Sequence, residues 1–178
     1  MHLESVRFYV GNIRMEHTDG GVSSWNAYTL IDLLADTTQQ ITLPLYERNV
    51  QSLSFSVGVD STTSVSGPRE GALDPLHGMY WTWNTGYIFF RVDGTSPQSL
   101  QTRNTVEYHV GGYSAPYNNI VNVVLPISIH ADTITVLCDL QRFFDKPAPL
   151  RVVHTASVTD AKAAVPLLER IRGMFRVQ

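Results

Sequence analysis

Apolar and polar residues alternate with a period of two along most of this chain, the spacing of strands with one buried face. Val6-Arg7-Phe8-Tyr9-Val10 opens in this way, and Asp19-Gly20-Gly21 follows as a hairpin-type turn. Residues 28–33 predict a second strand. Residues 41–45 predict a third, which Pro44 places at an edge or a strand end. Residues 50–59 alternate most cleanly, with Leu53, Phe55, Val57 and Val59 on one face and Ser52, Ser54, Ser56 and Gly58 on the other. One dry and one wet face is the mark of an antiparallel sheet. Similar patterns recur at residues 106–110, 120–125 and 133–140, whereas only residues 161–171 read as helix, with Ala, Leu and Glu around Pro166. Short strands separated by turns, without an internal repeat, predict an all-β fold: a single-domain antiparallel β-sandwich with a short C-terminal helix.

One connection stands out. Residues 60–79 are rich in Asp, Ser, Thr, Gly and Pro, and a structureless loop of that length in a compact domain is usually functional or disordered. Asp60 and Asp74 suit Asx-type turns that would order it, although their hard oxygen atoms also leave calcium open. The loop leads into residues 79–92, the most aromatic stretch of the chain, which Asp93-Gly94 closes with a turn signal. Trp81 and Trp83 are two apart, so on a strand they share a face. Three readings follow: rings buried in the core, a flat platform for a sugar, or an aromatic wall beside a redox or metal centre. His77 and Met79 stand at the mouth of the same segment and offer an imidazole and a thioether, ligands that a soft monovalent copper ion accepts.

A further candidate is His109, in Glu107-Tyr108-His109-Val110-Gly111-Gly112. Alternation puts His109 on one face with Glu107 and Gly111, and the glycines permit close backbone approach. A histidine at a strand end beside glycines is a better ligand candidate than one in mid-strand, though a purely structural role stays open. Cys138, inside an apolar run, reads as a small buried hydrophobe.

Composition narrows the function classes. With 178 residues, 43% of them hydrophobic, the chain can bury the core of one domain. Charged residues are only 16% and the formal net charge is −3, which provides no basic surface for a nucleic-acid backbone. No apolar run reaches the ~20 residues that span a bilayer. A single cysteine allows no internal disulfide and no CxxC metal knuckle. GxGxxG, GxxxxGK[ST], HExxH and GxSxG are all missing, so no motif argues for an enzyme. Low charge with many Ser, Thr, Tyr and Gly suits an extracytoplasmic protein, yet Met1-His2-Leu3-Glu4 opens directly into strand pattern without a signal peptide.

Several of these strings together resemble the MbnP-like family of bacterial copper-binding proteins linked to methanobactin operons. The resemblance is carried by Phe55-Ser56-Val57-Gly58-Val59-Asp60-Ser61, by Ser66-Gly67 and Gly71-Ala72-Leu73-Asp74-Pro75, and above all by Gly78-Met79-Tyr80-Trp81-Thr82-Trp83-Asn84-Thr85-Gly86-Tyr87. Tyr108-His109-Val110-Gly111-Gly112 resembles the family's second signature. Arg7-Phe8-Tyr9-Val10-Gly11-Asn12-Ile13 and Met174-Phe175 resemble its opening and closing segments. The resemblance implies one MbnP-like domain over residues 1–178 that lacks the family's signal segment and N-terminal strand pair. It also implies a periplasmic or envelope location, a Cu(I) site near the WxW motif, and no catalytic activity. The first tryptophan of that motif, here Trp81, would be oxidised to kynurenine by a MauG- or MbnH-like di-haem partner, and Trp83 would pack. His109 is then the first expected copper ligand, with His77 and Met79 behind it. The competing expectation is a carbohydrate- or surface-binding β-sandwich that stacks its ligand on the aromatic strand.

Overall fold

The structure is a computed structural model, and it describes residues 1–35, 40–43, 49–81, 86–128 and 133–178. Strand β1 (His2–His17) runs through its centre for 16 residues. It pairs antiparallel with β2 (Val22–Trp25), β3 (Thr29–Asp32), β4 (Val50–Val57) and β5 (Ile88–Thr95). The first half of β1 lies between β3 and β5, and the second half between β2 and β4. On one side the partner changes from β5 to β4 between Phe8 and Val10; on the other it changes from β3 to β2 between Val10 and Ile13, beside a register shift against β4 between Gly11 and Arg14 where Asn12 takes a φ of 50°. A bulge of this kind bends a strand and increases its twist, which lets β1 serve both layers of a curled sheet.

The layers extend outward from β1. Strand β6 (Thr105–Gly111) pairs with β5, and after the small hairpin of β7 (Tyr113–Ser114) and β8 (Tyr117–Asn118), β9 (Val121–Pro126) pairs with β4. Further on, β10 (Val136–Cys138) pairs with the last strand, β12 (Phe175–Val177), while β11 (Ser157–Val158) runs parallel to β6. The strand order β11-β6-β5-β1-β4-β9 is therefore antiparallel except at one short rim, in keeping with an all-β sandwich.

Alternation fills the core as the pattern requires. Phe8, Phe55, Phe90, Val92, Tyr108, Val110 and Val123 point into one cluster; a side chain of this size contributes about 1.5–3 kcal/mol when fully buried. Short helices close its open side: α2 (Leu140–Asp145), α3 (Val152–Thr155), α4 (Ala161–Ala164) and α5 (Leu168–Arg172), which follow α1 (Ser61–Val65) far upstream. The expected C-terminal helix is the run from α4 to α5. Asp160 caps it by accepting from the Ala163 N–H at 2.9 Å. Pro166 lies in a 3-10 turn between them, near a start where its missing N–H costs little.

Several expected elements differ. Residues 41–43 form no strand, and 44–45 lie outside the described residues. Of residues 133–140 only Val136–Cys138 are extended. Asp93-Gly94 is no turn but the interior of β5. The 60–79 connection is not structureless: it holds α1 and 3-10 turns at Gly71–Leu73 and Pro75–His77. Its two aspartates start those turns. Asp60 accepts from the Thr63 N–H at 2.8 Å, and Asp74 from the Leu76 N–H at 2.8 Å. Asp74→Ala is therefore expected to lower the unfolding free energy by about 1 kcal/mol, the usual value of such a cap, as read from urea melts. An unchanged melt together with lost metal binding would instead make Asp74 a ligand.

Candidate functional site

The outer face of the sheet carries the site. Alternation that sends Phe8, Phe90 and Tyr108 inward turns Arg7, Arg91, Asp93 and His109 outward. Strand register then lines up Asp32, Arg7, Arg91 and His109 across β3, β1, β5 and β6, since Arg7 pairs with both Asp32 and Arg91, and Arg91 with His109. A second apolar cluster lies beside this polar row: Tyr9, Val59, Leu73, Met79, Tyr87, Ile88 and Phe89, with Tyr80 and Trp81 packed against it.

The segment carrying Trp81 is fastened onto that face. Arg7 donates to the His77 carbonyl at 3.1 Å, and Arg91 to the Gly78 carbonyl at 2.5 Å. The Tyr87 hydroxyl accepts from the Arg69 N–H at 3.1 Å and reaches the Leu73 carbonyl at 3.1 Å. Its ring meets Tyr9 and Tyr80 edge-on at 5.8 and 4.9 Å. Tyr80 and Tyr87 form a bridge, and the Trp81 N–H donates to the Gly86 carbonyl at 3.0 Å. Tyr80 and Tyr87 are thus antiparallel neighbours. Of residues 79–92, Ile88–Val92 belong to β5 and Tyr80 pairs with Tyr87 as an isolated bridge, and the face expected to be shared by the two tryptophans falls partly outside the described residues. Trp83, expected to pack, lies outside the described residues.

Trp81 and His109 are brought together. Their ring centroids are 6.4 Å apart at an interplanar angle of 44°, and both side chains are partly buried. Gly111 allows this approach: a Cβ there would stand 2.7 Å from the Tyr87 carbonyl oxygen and 2.9 Å from the Trp81 ring. His77 is exposed, and its Nε2 is bonded to the Gly71 carbonyl at 3.0 Å. Met79 is fully buried in the aromatic cluster. Asp60 binds the Tyr28 hydroxyl as well as α1. Cys138 is half-buried, and burial pushes its thiol up to about 12, far from the thiolate a reactive cysteine needs.

The electrostatics centre on residues that sequence reasoning missed. His109 Nε2 lies 2.6 Å from Asp93 Oδ1, and the Arg91 Nε donates to Asp93 Oδ2 at 2.5 Å. Burial alone would raise the Asp93 carboxyl, but its bonds with His109 and Arg91 outweigh that and hold it below the usual carboxylate range. The signal was present: Arg91 and Asp93 are charged residues set alternately inside an otherwise apolar strand.

The donor set suits a soft cation in part. His109 brings one imidazole, oriented by a carboxylate in the manner of metal-binding histidines. Among the described residues no three His, Cys, Asp or Glu side chains stand together as a cation cluster. The ring beside His109 is that of Trp81.

Comparison with known proteins bears on the fold and the family. The fold matches the solved structure of MbnP from Methylosinus trichosporium with a TM-score of 0.56 at 19% identity, over 80% of this chain and 66% of that one. This chain thus spans slightly under two thirds of that protein's length. No curated protein sequence matches it. The sequence model of the MbnP family covers residues 1–161, and the chain belongs to the MbnP family.

Proposed function

We propose that this chain is a non-catalytic copper-binding protein of the bacterial cell envelope. It takes up Cu(I) between His109 and the oxidised ring of Trp81. Family membership supports a copper-related role linked to methanobactin. The observation that carries the finer reading is the 6.4 Å approach of Trp81 to His109, with Gly111 leaving room for the ring. An indole has one N–H and no lone pair to offer a metal. Oxidation by a MauG-type di-haem partner, with peroxide or dioxygen as the oxidant that supplies two oxygen atoms, cleaves the indole C2–C3 bond to N-formylkynurenine; hydrolysis then releases C2 as formate and leaves an arylamine and a ketone, both donors. The oxidation thus creates a second ligand next to His109 where none stood before.

The role of each residue follows. His109 supplies the imidazole, Trp81 the modified ring, and Gly111 the space. His77 and Met79, the other two expected ligands, contribute through the segment they belong to rather than through their donor atoms. A sugar platform needs an open, flat aromatic face; Trp81 is half-buried against Gly111 and beside His109, which favours the metal reading. Among the described residues no helix is long and apolar enough to cross a membrane.

The test is an anaerobic Cu(I) titration of unmodified and host-matured protein, with mass mapping of the peptide that contains Trp81. Host-matured wild type should carry kynurenine at Trp81 and bind Cu(I), and unmodified protein should bind weakly. Trp81→Phe should abolish host-dependent binding with the fold intact, because a ring still occupies the space. Equal Cu(I) affinity in the matured wild type and Trp81→Phe would overturn the proposal.

A further inference from the structure

We infer that Asp93 and Arg91 are positioning residues that set which nitrogen of His109 meets the metal: Nε2 is held as an N–H by Asp93, and Nδ1 is the lone pair left for a soft cation. This inference rests on the copper reading above, and concerns residues that play no part in it so far.

The geometry runs in one chain of contacts. Asp93 Oδ1 lies 2.6 Å from His109 Nε2, and its other oxygen, Oδ2, accepts from the Arg91 Nε at 2.5 Å. A carboxylate has only acceptor sites, so the nitrogen facing it carries the proton. In a neutral imidazole the other nitrogen then has the free pair, and a carboxylate behind the ring holds its orientation. The assembly is enclosed: the His109 and Asp93 side chains are 13% and 15% exposed. It rests on the strand register rather than on a loop, because Arg91 pairs directly with His109 and Asp93 with Glu107.

Arg91 links the two halves of the site. One arm of its guanidinium holds Asp93, while another donates to the Gly78 carbonyl at 2.5 Å, three residues ahead of Trp81. Arg7, on the neighbouring strand, grips the preceding carbonyl, that of His77. One planar cation therefore fixes both the tautomer of His109 and the seat of the segment that lays Trp81 beside it. A lysine at position 91 has no such fork and could not reach both partners with fixed geometry.

Long-range proton–nitrogen NMR correlations of His109 in the metal-free protein read the tautomer directly. The wild type should show the proton on Nε2. Asp93→Ala should lose that preference and weaken Cu(I) binding of the host-matured protein by about 10–100-fold, the usual scale for a residue that orients a metal-bound histidine. Asp93→Asn keeps an oxygen opposite Nε2, so it should keep the tautomer and lose less affinity. If Asp93→Ala fails to fold, Asp93→Asn and the wild type still decide the matter. Addition of Cu(I) should shift the Nδ1 resonance. A proton found on Nδ1, or a Cu(I)-dependent shift at Nε2, overturns the inference alone. No shift at either nitrogen in host-matured protein overturns both the inference and the copper reading beneath it.

Discussion

Phe143→Ala should lower the free energy of unfolding by about 3–5 kcal/mol, the range for deleting a large buried ring. Phe143 has no exposed surface, and its ring lies 5.1 Å from Phe90, 5.6 Å from Tyr108 and 5.1 Å from Phe144. It is the contact through which α2 closes the side of the core left open by the strands. The backbone around it cannot easily collapse into the vacancy, because Arg170 donates to the carbonyls of Phe143, Lys146 and Ala148 at 3.2, 2.8 and 2.9 Å. The cavity would therefore persist, and its cost would add to the lost transfer energy. Guanidinium melts should show a lower midpoint with an unchanged slope, and Phe143→Leu should recover more than half of the loss. A drop below about 1 kcal/mol would mean that the helical segment covers the sheet without supporting it.

The second large effect is expected at Gly58. Its φ is +123°, a conformation that side chains rarely adopt, and a Cβ would lie 2.7 and 2.8 Å from ring atoms of Phe89. Phe89 is itself 1% exposed and packed in the second cluster, so it has nowhere to move. Backbone strain of about 1–3 kcal/mol and overpacking of similar size together give roughly 2–5 kcal/mol for Gly58→Ala. The Gly58 N–H also donates to the Tyr9 carbonyl at 3.1 Å, the point where β1 passes from β5 to β4. Thermal melts would measure the loss, and near-ultraviolet circular dichroism would report the displaced rings. A melt within a few tenths of a kcal/mol of wild type would contradict the strained geometry.

Legibility in the sequence followed how local each determinant was. The strands β4, β6 and β9 were readable because a period of two survives in Leu53-x-Phe55-x-Val57 and its counterparts, and the same parity placed His109 on the face opposite Tyr108. The helical end was readable from its Ala and Leu content. What could not be read was register. Arg91 and Asp93 acquire meaning only once β5 is set against β6, and no pattern within either strand states that alignment. β12 is three residues long, too short for any periodicity, and exists because β10 lies alongside it. The antiparallel pairing of Tyr80 with Tyr87 was hidden by the aromatic run around it.

The long first strand has a consequence in time rather than in space. β1 precedes every partner in the chain, so during synthesis it waits for each of them. β2 and β3 follow within a few residues and can zip onto one side at once, whereas β4 and then β5 arrive only after the long connections have been made. Setting Arg7 opposite Arg91 closes a loop that contains every element between them, and non-local closures of this kind slow folding. The strand that joins both layers is thus half-clothed for most of the chain's emergence. Among the partners of β1 itself, β5 is the last to emerge, and its pairing with β1 and β6 is also what assembles Arg91, Asp93 and His109. His109 gains Asp93 as its partner only through this non-local pairing, so a soft cation would meet a sheet in which β1, β5 and β6 are already joined.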